Sequence, residues 1–444
     1  MFETDMVDLD KLLTNFVNLY PGMKQRGPEW YASMSTTVGG SEIAALRGEN
    51  PYKTAYDVAM SKVMRITTGK SSFVGGPSCW WGTLLEGPVE DFVSIDLGSV
   101  VRGADICIQE LPGHRNSPDG YIVAKFYRGV DGALHLWTSD MSDTIDTELH
   151  IVLLEFKCPI SRRPNKRIPK QYRAQLWSGL SVSPVASLGL YVDAVFRKCS
   201  ILDLNAQEVY DTAYHTRDRG VWRYPVAWGL IGVYAPNTDA PRHIRMGWQS
   251  EEWCTTDPHP DSRDADGSAA ALQILAEYFG VRVNSSVRDY GAADLGDMGM
   301  HMFNRTLGLI DRKIFPVRRT QPCFADGRGI SLHSYREVCD AIHGLEISAD
   351  ENHYLVGGLP YKIMSVYYIS AVRQPGFVEN MLEIIAALHN TVQQACASDD
   401  PIGYMSSMRY PTSDSKVVQL AREKVADAVG ADIIDDLFAS ISKE

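Results

Sequence analysis

The chain carries no Cys-x-x-Cys pair. Its eight cysteines stand singly at positions 79, 107, 158, 199, 254, 323, 339 and 396, which excludes a zinc knuckle or a tight disulfide scaffold and makes a reducing setting the default. No apolar run reaches the roughly 20 residues of a membrane span. The opening Met1-Phe2-Glu3-Thr4-Asp5-Met6 lacks the basic and apolar regions of a secretory leader. A soluble, intracellular protein that is not secreted and has no membrane partner is therefore expected. Internal repeats and long low-complexity segments are absent too. So is any overall excess of positive charge: the net charge is −12, and an acidic surface repels phosphates.

What the total lacks, one segment supplies. Arg162, Arg163, Lys166, Arg167, Lys170 and Arg173 follow one another without an intervening acidic residue. A basic segment on an acidic protein concentrates attraction for a polyanion in one place. With 444 residues, 45% hydrophobic and 22% charged, the chain has the size and composition of one large globular domain with insertions, or of two or three domains.

Patterning predicts mostly helix over residues 1–70. Within it, Ser41–Arg47 forms a short helix, and Thr54-Ala55-Tyr56-Asp57 is a capping box opening an amphipathic run to about Met64. A helix from about Trp80 carries Leu85, Val89, Phe92 and Val93 on one face, with Gly87-Pro88 predicted to kink it or delay its start. Strands follow at Tyr121–Tyr127 and Ile151–Lys157, separated by a hairpin-like acidic stretch. A helix over about Lys170–Leu180 and a strand over Gly189–Phe196 come next. After about 205 the pattern weakens. Strand-like pieces appear in Val221–Tyr234 and a helix is plausible over Ala269–Phe279. A clear strand returns at Tyr361–Ile369, followed by an amphipathic helix through Phe377, Met381, Ile385, Leu388 and Val392 and by helix over Ser415–Ser442. Helices alternating with strands give an α/β (α+β) class built on a mixed central sheet flanked by helices.

The chemistry concentrates at the end of one strand. In Leu154-Glu155-Phe156-Lys157-Cys158-Pro159 a carboxylate and an ammonium stand two apart, so both point to the same face. Desolvating such a pair costs several kcal/mol in order of magnitude. An edge-strand ion pair would account for it. So would a metal site, with Glu155 and the Phe156 carbonyl as hard oxygen donors and Lys157 beside a water. Asp119, in the turn Ser117-Pro118-Asp119-Gly120, enters the preceding strand, where antiparallel pairing can bring a second carboxylate to the same cation. Glu86 on the earlier helix is a third carboxylate, supporting the metal directly or through water. Tyr172 and Gln175 share a face of the basic helix, and Ser41 lies at a helix N-terminus suited to a phosphate.

In this order the residues resemble the phage lambda exonuclease and YqaJ-type viral recombinase group of PD-(D/E)XK nucleases. The resemblance is carried by Gln25-Arg26-Gly27-Pro28-Glu29-Trp30, Gly40-Ser41-Glu42, Trp81-Gly82 with Glu86, Ser117-Pro118-Asp119-Gly120, Leu154–Pro159 and Tyr172-Arg173-Ala174-Gln175. It covers about residues 25–200 and resumes at Leu359–Ile363 with the helix after it. It implies a nuclease core over 1–204, an insertion or accessory region over 205–355, a closing strand and helix over 356–400, and a helical segment over 401–444. It also implies Mg²⁺, with Mn²⁺ as a substitute, held by Asp119, Glu155 and the Phe156 carbonyl with Glu86 in support. Lys157 positions or activates water, and Ser41, Ser117 and Gln175 touch the scissile or terminal 5′-phosphate. The implied reaction is phosphodiester hydrolysis from the 5′ strand of linear duplex DNA in recombination or genome processing. Its implied partners are double-stranded DNA ends, a single-strand annealing protein and, in a ring trimer, copies of the chain itself. For a viral chain the implied setting is the host nucleus or cytoplasm.

One position departs from the pattern. An arginine that holds the 5′-phosphate usually stands seven residues before the serine, and here that residue is Met34, with Arg26 and Arg47 as candidate substitutes. The scattered cysteines count against the iron–sulfur relatives of the fold, so no such cluster is expected. Two other readings stay open: an endonuclease of the same fold, and a DNA-binding or structural viral protein without catalysis.

Overall fold

A computed structural model of the chain describes residues 2–20, 28–69, 77–138, 141–142, 144–159, 167–198, 224–236, 317–328, 341, 344–345 and 353–408. The helices expected over Ala269–Phe279 and Ser415–Ser442 lie outside these residues, as do Arg26, Arg162, Arg163 and Lys166.

The N-terminal region is helical, as expected: α1 (Phe2–Asn18), α2 (Pro28–Ser33), α3 (Gly40–Leu46) and α4 (Ala55–Thr68). A two-residue strand β1 (Val38–Gly39) precedes α3 and pairs in parallel with β2 (His114–Arg115). The capping box of α4 is present: the Thr54 hydroxyl accepts from the Asp57 N–H at 3.2 Å, and Asp57 accepts from the Thr54 N–H at 2.8 Å. Helix α5 (Pro77–Asp96) starts before Gly87-Pro88 and runs through Pro88, so the pair does not delay its start.

The sheet contains β3 (Gly120–Arg128), β4 (Leu134–Leu136), β5 (Glu148–Lys157), β6 (Leu188–Lys198), β7 (Ala227–Pro236), β8 (Val317–Arg319), β9 (Cys323–Phe324) and β10 (His353–Ala371). Its order is β4-β3-β5-β6-β10-β7-β8, with β9 paired to β7. β5 and β6 are parallel and joined by helix α6 (Lys170–Ser181), whereas β3–β5, β6–β10 and β10–β7 are antiparallel. The sheet is therefore mixed, with helices on its faces. Strands β7, β8 and β9 all fall within 205–355, so the described part of that range contributes to the same sheet as the rest.

Alternation along β5 sorts the core into layers. Val152, Leu154 and Phe156 pack with Ile122, Leu190 and Val192 against Leu85, Val89, Phe92 and Val93 of α5. Ile151 and Leu153 face the other way, onto Leu176 and Leu180 of α6 and Leu13 and Phe16 of α1. A third cluster joins α3 and α4 to α7 (Phe377–Cys396) and α8 (Pro401–Ser407) through Ile43, Val58, Val63, Met381, Ile385 and Leu388. It touches α6 at Ala174, which places the α3–α4 layer beside the end of β5. Among the described residues, no helix is long and apolar enough to cross a membrane.

Candidate active site

The site begins where β5 stops pairing. Pro159, lacking an N–H, cannot donate to the ladder, and only its carbonyl still meets β6, accepting from the Phe196 N–H at 2.8 Å. Glu155 and Lys157 continue the row of Ile151 and Leu153, so the row that starts as core ends in two charged side chains. The strand is paired to β3 up to Leu154 and to β6 through Lys157, so Glu155 and Lys157 lie just past the end of the β3 pairing and keep β6 alone as a ladder partner. Glu155 is 2% exposed.

Asp119 is brought there by the register of β3 on β5, in which Gly120 lies opposite Leu154. Its carboxylate accepts a hydrogen bond from the Phe156 N–H at 2.6 Å. Gly120 makes the turn possible: its φ is +150°, and a Cβ there would lie 2.5 Å from Val101 Cγ1. The Lys157 ammonium donates to Glu155 Oε1 and, at 3.0 Å, to the Phe156 carbonyl. It also lies 4.8 Å from the centre of the Tyr172 ring, which in turn stacks on Tyr191 at 5.7 Å.

These groups share a cleft of about 780 Å³ with Ser41, Asn50, Tyr52, Lys53, Asp57, Glu86, Gln171, Tyr172 and Gln175. Glu86 reaches it from the α5 layer and Gln175 from α6. Of the residues singled out in the sequence, the structure thus gathers Ser41, Glu86, Asp119, Glu155, Lys157, Tyr172 and Gln175 in one place.

Others stand apart from it. The Ser117 hydroxyl accepts from Trp30 Nε1 at 3.2 Å, outside the cleft lining. Arg173 turns back to the Ile168 carbonyl at 3.2 Å and lies over Trp177. Arg167 and Lys170 are exposed on the approach to α6. Arg47 is committed to Glu49 and Asn380 and packs over Phe377. At the position where the arginine is usual, Met34 offers its backbone carbonyl to Lys62 Nζ at 3.1 Å.

The Asn50–Lys53 part of the cleft lining carries no site signal in the sequence. Asn50-Pro51-Tyr52-Lys53 has the residues of a turn, and its place in the same cleft as Glu155 depends on α3 packing against α6. Glu42 anchors Lys53 from behind the lining: it accepts from Lys53 at 3.1 Å, from Lys62 at 3.3 Å and from the Gly39 N–H at 3.1 Å. Burial alone would push the Glu42 carboxyl up, but Lys62 and Lys53 hold it below the usual carboxylate range. Burial also lowers the Lys62 ammonium, with Glu42 opposing that shift.

Electrostatics at the β5 end are dominated by crowding of acids. Burial, with Asp119 and Glu86 nearby, pushes the Glu155 carboxyl up to about 8 despite the adjacent Lys157. Burial works against the Lys157 ammonium, but Glu155 and Asp119 outweigh it and hold the group well above the ordinary lysine range. The two directions agree: a cation is favoured among these acids, and a further negative charge is not. Glu155, Asp119 and the Phe156 carbonyl are hard oxygen donors of the kind that Mg²⁺ takes, and two of the three already converge on one ammonium. Among the described residues, no three His, Cys, Asp or Glu side chains are gathered closely enough to hold a metal on their own. The hard oxygens at the end of β5 are the Asp119 and Glu155 carboxylates and the Phe156 carbonyl, with Glu86 lining the same cleft.

Residues 29–186 match the family of the YqaJ-like viral recombinase domain. Protein D345L of African swine fever virus (isolate Tick/Malawi/Lil 20-1/1983) is 33% identical over 239 residues, spanning 52% of this chain and 67% of that protein. Its counterpart from strain Badajoz 1971 Vero-adapted is 32% identical over 238 residues, with the same shares. Among solved structures, an alkaline exonuclease from Laribacter hongkongensis is 17% identical, covering 38% of this chain and 74% of that one at a TM-score of 0.26.

Proposed function

Because this chain belongs to the YqaJ-like viral recombinase family, we propose that it is a metal-dependent deoxyribonuclease that degrades linear duplex DNA from the 5′ end. The observation that carries this reading is the convergence of Asp119, Glu155 and Lys157 at the paired ends of β3 and β5, in a cleft shared with Glu86 and Gln175.

Asp119, Glu155 and the Phe156 carbonyl would hold the cation, Mg²⁺ or Mn²⁺. When bound, the cation neutralises charge developing on the phosphate and lowers the pKa of water. The Phe156 N–H fixes Asp119, so this carboxylate does not have to be ordered during turnover. Lys157 is held by Glu155 and the Tyr172 ring and orients the attacking water, or donates to the phosphate, from a set direction. Gln175 is a neutral donor to a phosphate oxygen and does not compete with the cation. The exposed Arg167 and Lys170 draw the duplex toward α6.

Incubation with linear duplex and Mg²⁺ tests the reading. Wild type should digest it, and Glu155→Ala and Lys157→Ala should each abolish digestion while keeping the wild-type circular dichroism spectrum. Digestion by both variants at the wild-type rate would overturn the assignment. Met34, in place of the arginine, favours a second reading in which cleavage does not need a 5′-phosphate end. A covalently closed circle and a pair of 5′-phosphorylated and 5′-hydroxyl duplexes, digested side by side, separate the two.

A further inference from the structure

The cleft that holds the carboxylates has a feature that the proposed hydrolytic centre does not use. Tyr52 lines the cleft yet is 87% exposed. Single exposed aromatics are ordinary on protein surfaces, but the backbone that carries this one is held in place. Its backbone N–H donates to the Asn50 side chain at 2.8 Å, and the Glu49 and Asn50 N–H groups both donate to the Ala44 carbonyl, at 2.7 and 3.2 Å. The ring is thus presented from a loop tied to the end of α3, with its faces toward solvent. Beside it, Lys53 also lines the cleft and is steadied by Glu42, to which it gives one of its three N–H donors. An aromatic face next to an ammonium is the pairing that grips a nucleotide strand: the ring stacks on a base and the cation meets the backbone.

We infer that Tyr52 is a base-stacking residue, holding a nucleobase of the strand whose phosphate lies at the Glu155–Lys157 centre, with Lys53 on the adjoining phosphate. This inference rests on the nuclease reading above and adds to it a grip that does not depend on base identity, because every base offers a π-face. Stacking is made in the ground state and kept in the transition state, so it acts on KM rather than on kcat.

Steady-state digestion of linear duplexes by wild type, Tyr52→Ala and Tyr52→Phe tests this, repeated on duplexes whose end nucleotides on the digested strand are abasic. Tyr52→Ala should raise KM about tenfold with kcat nearly unchanged, and Tyr52→Phe should stay close to wild type. On the abasic duplexes wild type and Tyr52→Ala should converge, which a merely structural role for the ring would not produce. Fluorescence of 2-aminopurine at the same end, in Ca²⁺ without turnover, should change on binding wild type and Tyr52→Phe but not Tyr52→Ala. An unchanged KM for Tyr52→Ala, an equal loss in Tyr52→Phe, or a difference that persists on abasic ends overturns the stacking role while leaving the nuclease standing. If wild type digests no DNA, the nuclease reading fails, and the fluorescence alone then decides whether the ring meets a base. Because Tyr52 is so exposed, its replacement leaves the core untouched.

Discussion

Asp119 accepts the backbone N–H of Phe156 at 2.6 Å, so the carboxylate that enters β3 is tied to the residue whose carbonyl lies beside Lys157. One side chain thus serves the turn and the site together.

That dual use can be separated. Asn keeps an acceptor for the Phe156 N–H but removes the charge, whereas Ala removes both. Asp119→Asn should unfold within about 0.5 kcal/mol of wild type, and Asp119→Ala should lose about 1–2 kcal/mol by leaving a buried N–H without its acceptor. Both should be inactive on duplex DNA. Urea denaturation alongside a digestion assay checks the pair.

Divalent cation should stabilise the folded chain without DNA. At about 100 times its Kd, a ligand that binds only the native state adds about 2.7 kcal/mol. Mn²⁺ or Mg²⁺ should therefore raise Tm in wild type. The rise should vanish in Glu155→Gln and Asp119→Asn and persist in Tyr52→Ala. Scanning calorimetry with and without EDTA gives this result independently of activity.

His114 predicts an acid limit to stability. Burial, with Arg115 adjacent, pushes this imidazole down from 6.5 to about 4, and its Nε2 lies 2.7 Å from the Ser178 hydroxyl. The folded state thus holds it neutral at a pH where the unfolded chain binds a proton. Stability is full above about pH 6.5 and falls as pH drops toward 4, by on the order of 3 kcal/mol from this group. His114→Gln should flatten that slope between pH 6.5 and 4.5, measured by urea midpoints, whatever its effect at neutral pH.

Lys62 is 2% exposed and donates to the carbonyls of Met34 and Thr37 as well as to Glu42. Removing one partner of a buried pair typically costs about 3–5 kcal/mol, and Lys62→Met should lose that much in denaturant titrations. In a Glu42→Gln background the same change should cost less, because no carboxylate is then stranded.

What the sequence discloses, and what it withholds, follow from how local each signal is. Glu155, Lys157 and Asp119 were legible because a strand alternates and Ser117-Pro118-Asp119-Gly120 announces a turn. The capping box at Thr54 and the apolar row from Phe377 to Val392 are short-range patterns as well. Tyr52, Lys53 and Gln171 were not found, since their place in the cleft depends on α3 meeting α6, a contact between segments more than 100 residues apart. Helix α5 runs through Gly87-Pro88 because Leu85, Val89, Phe92 and Val93 bury themselves on both sides of the pair, and this packing overrides a local breaker. The strand expected at Tyr361–Ile369 extends over His353–Ala371. The part before Tyr361, through Gly357-Gly358-Leu359-Pro360, pairs with β7 past an irregularity between Leu355 and Gly357.

That long strand also limits how the chain can be shortened. β10 pairs with β6 from Tyr361 to Ala371 and with β7 from His353 to Ile363, so Tyr361–Ile363 is hydrogen-bonded on both sides. Excising the stretch that holds β7, β8 and β9 would leave half of β10 as a bare row of N–H and C=O groups, a template for self-association. A trimmed version that kept every residue of the cleft would therefore be expected to precipitate. A workable minimal enzyme would have to retain residues 227–236 as a cover for β10 or put charge and proline on the strand it uncovers.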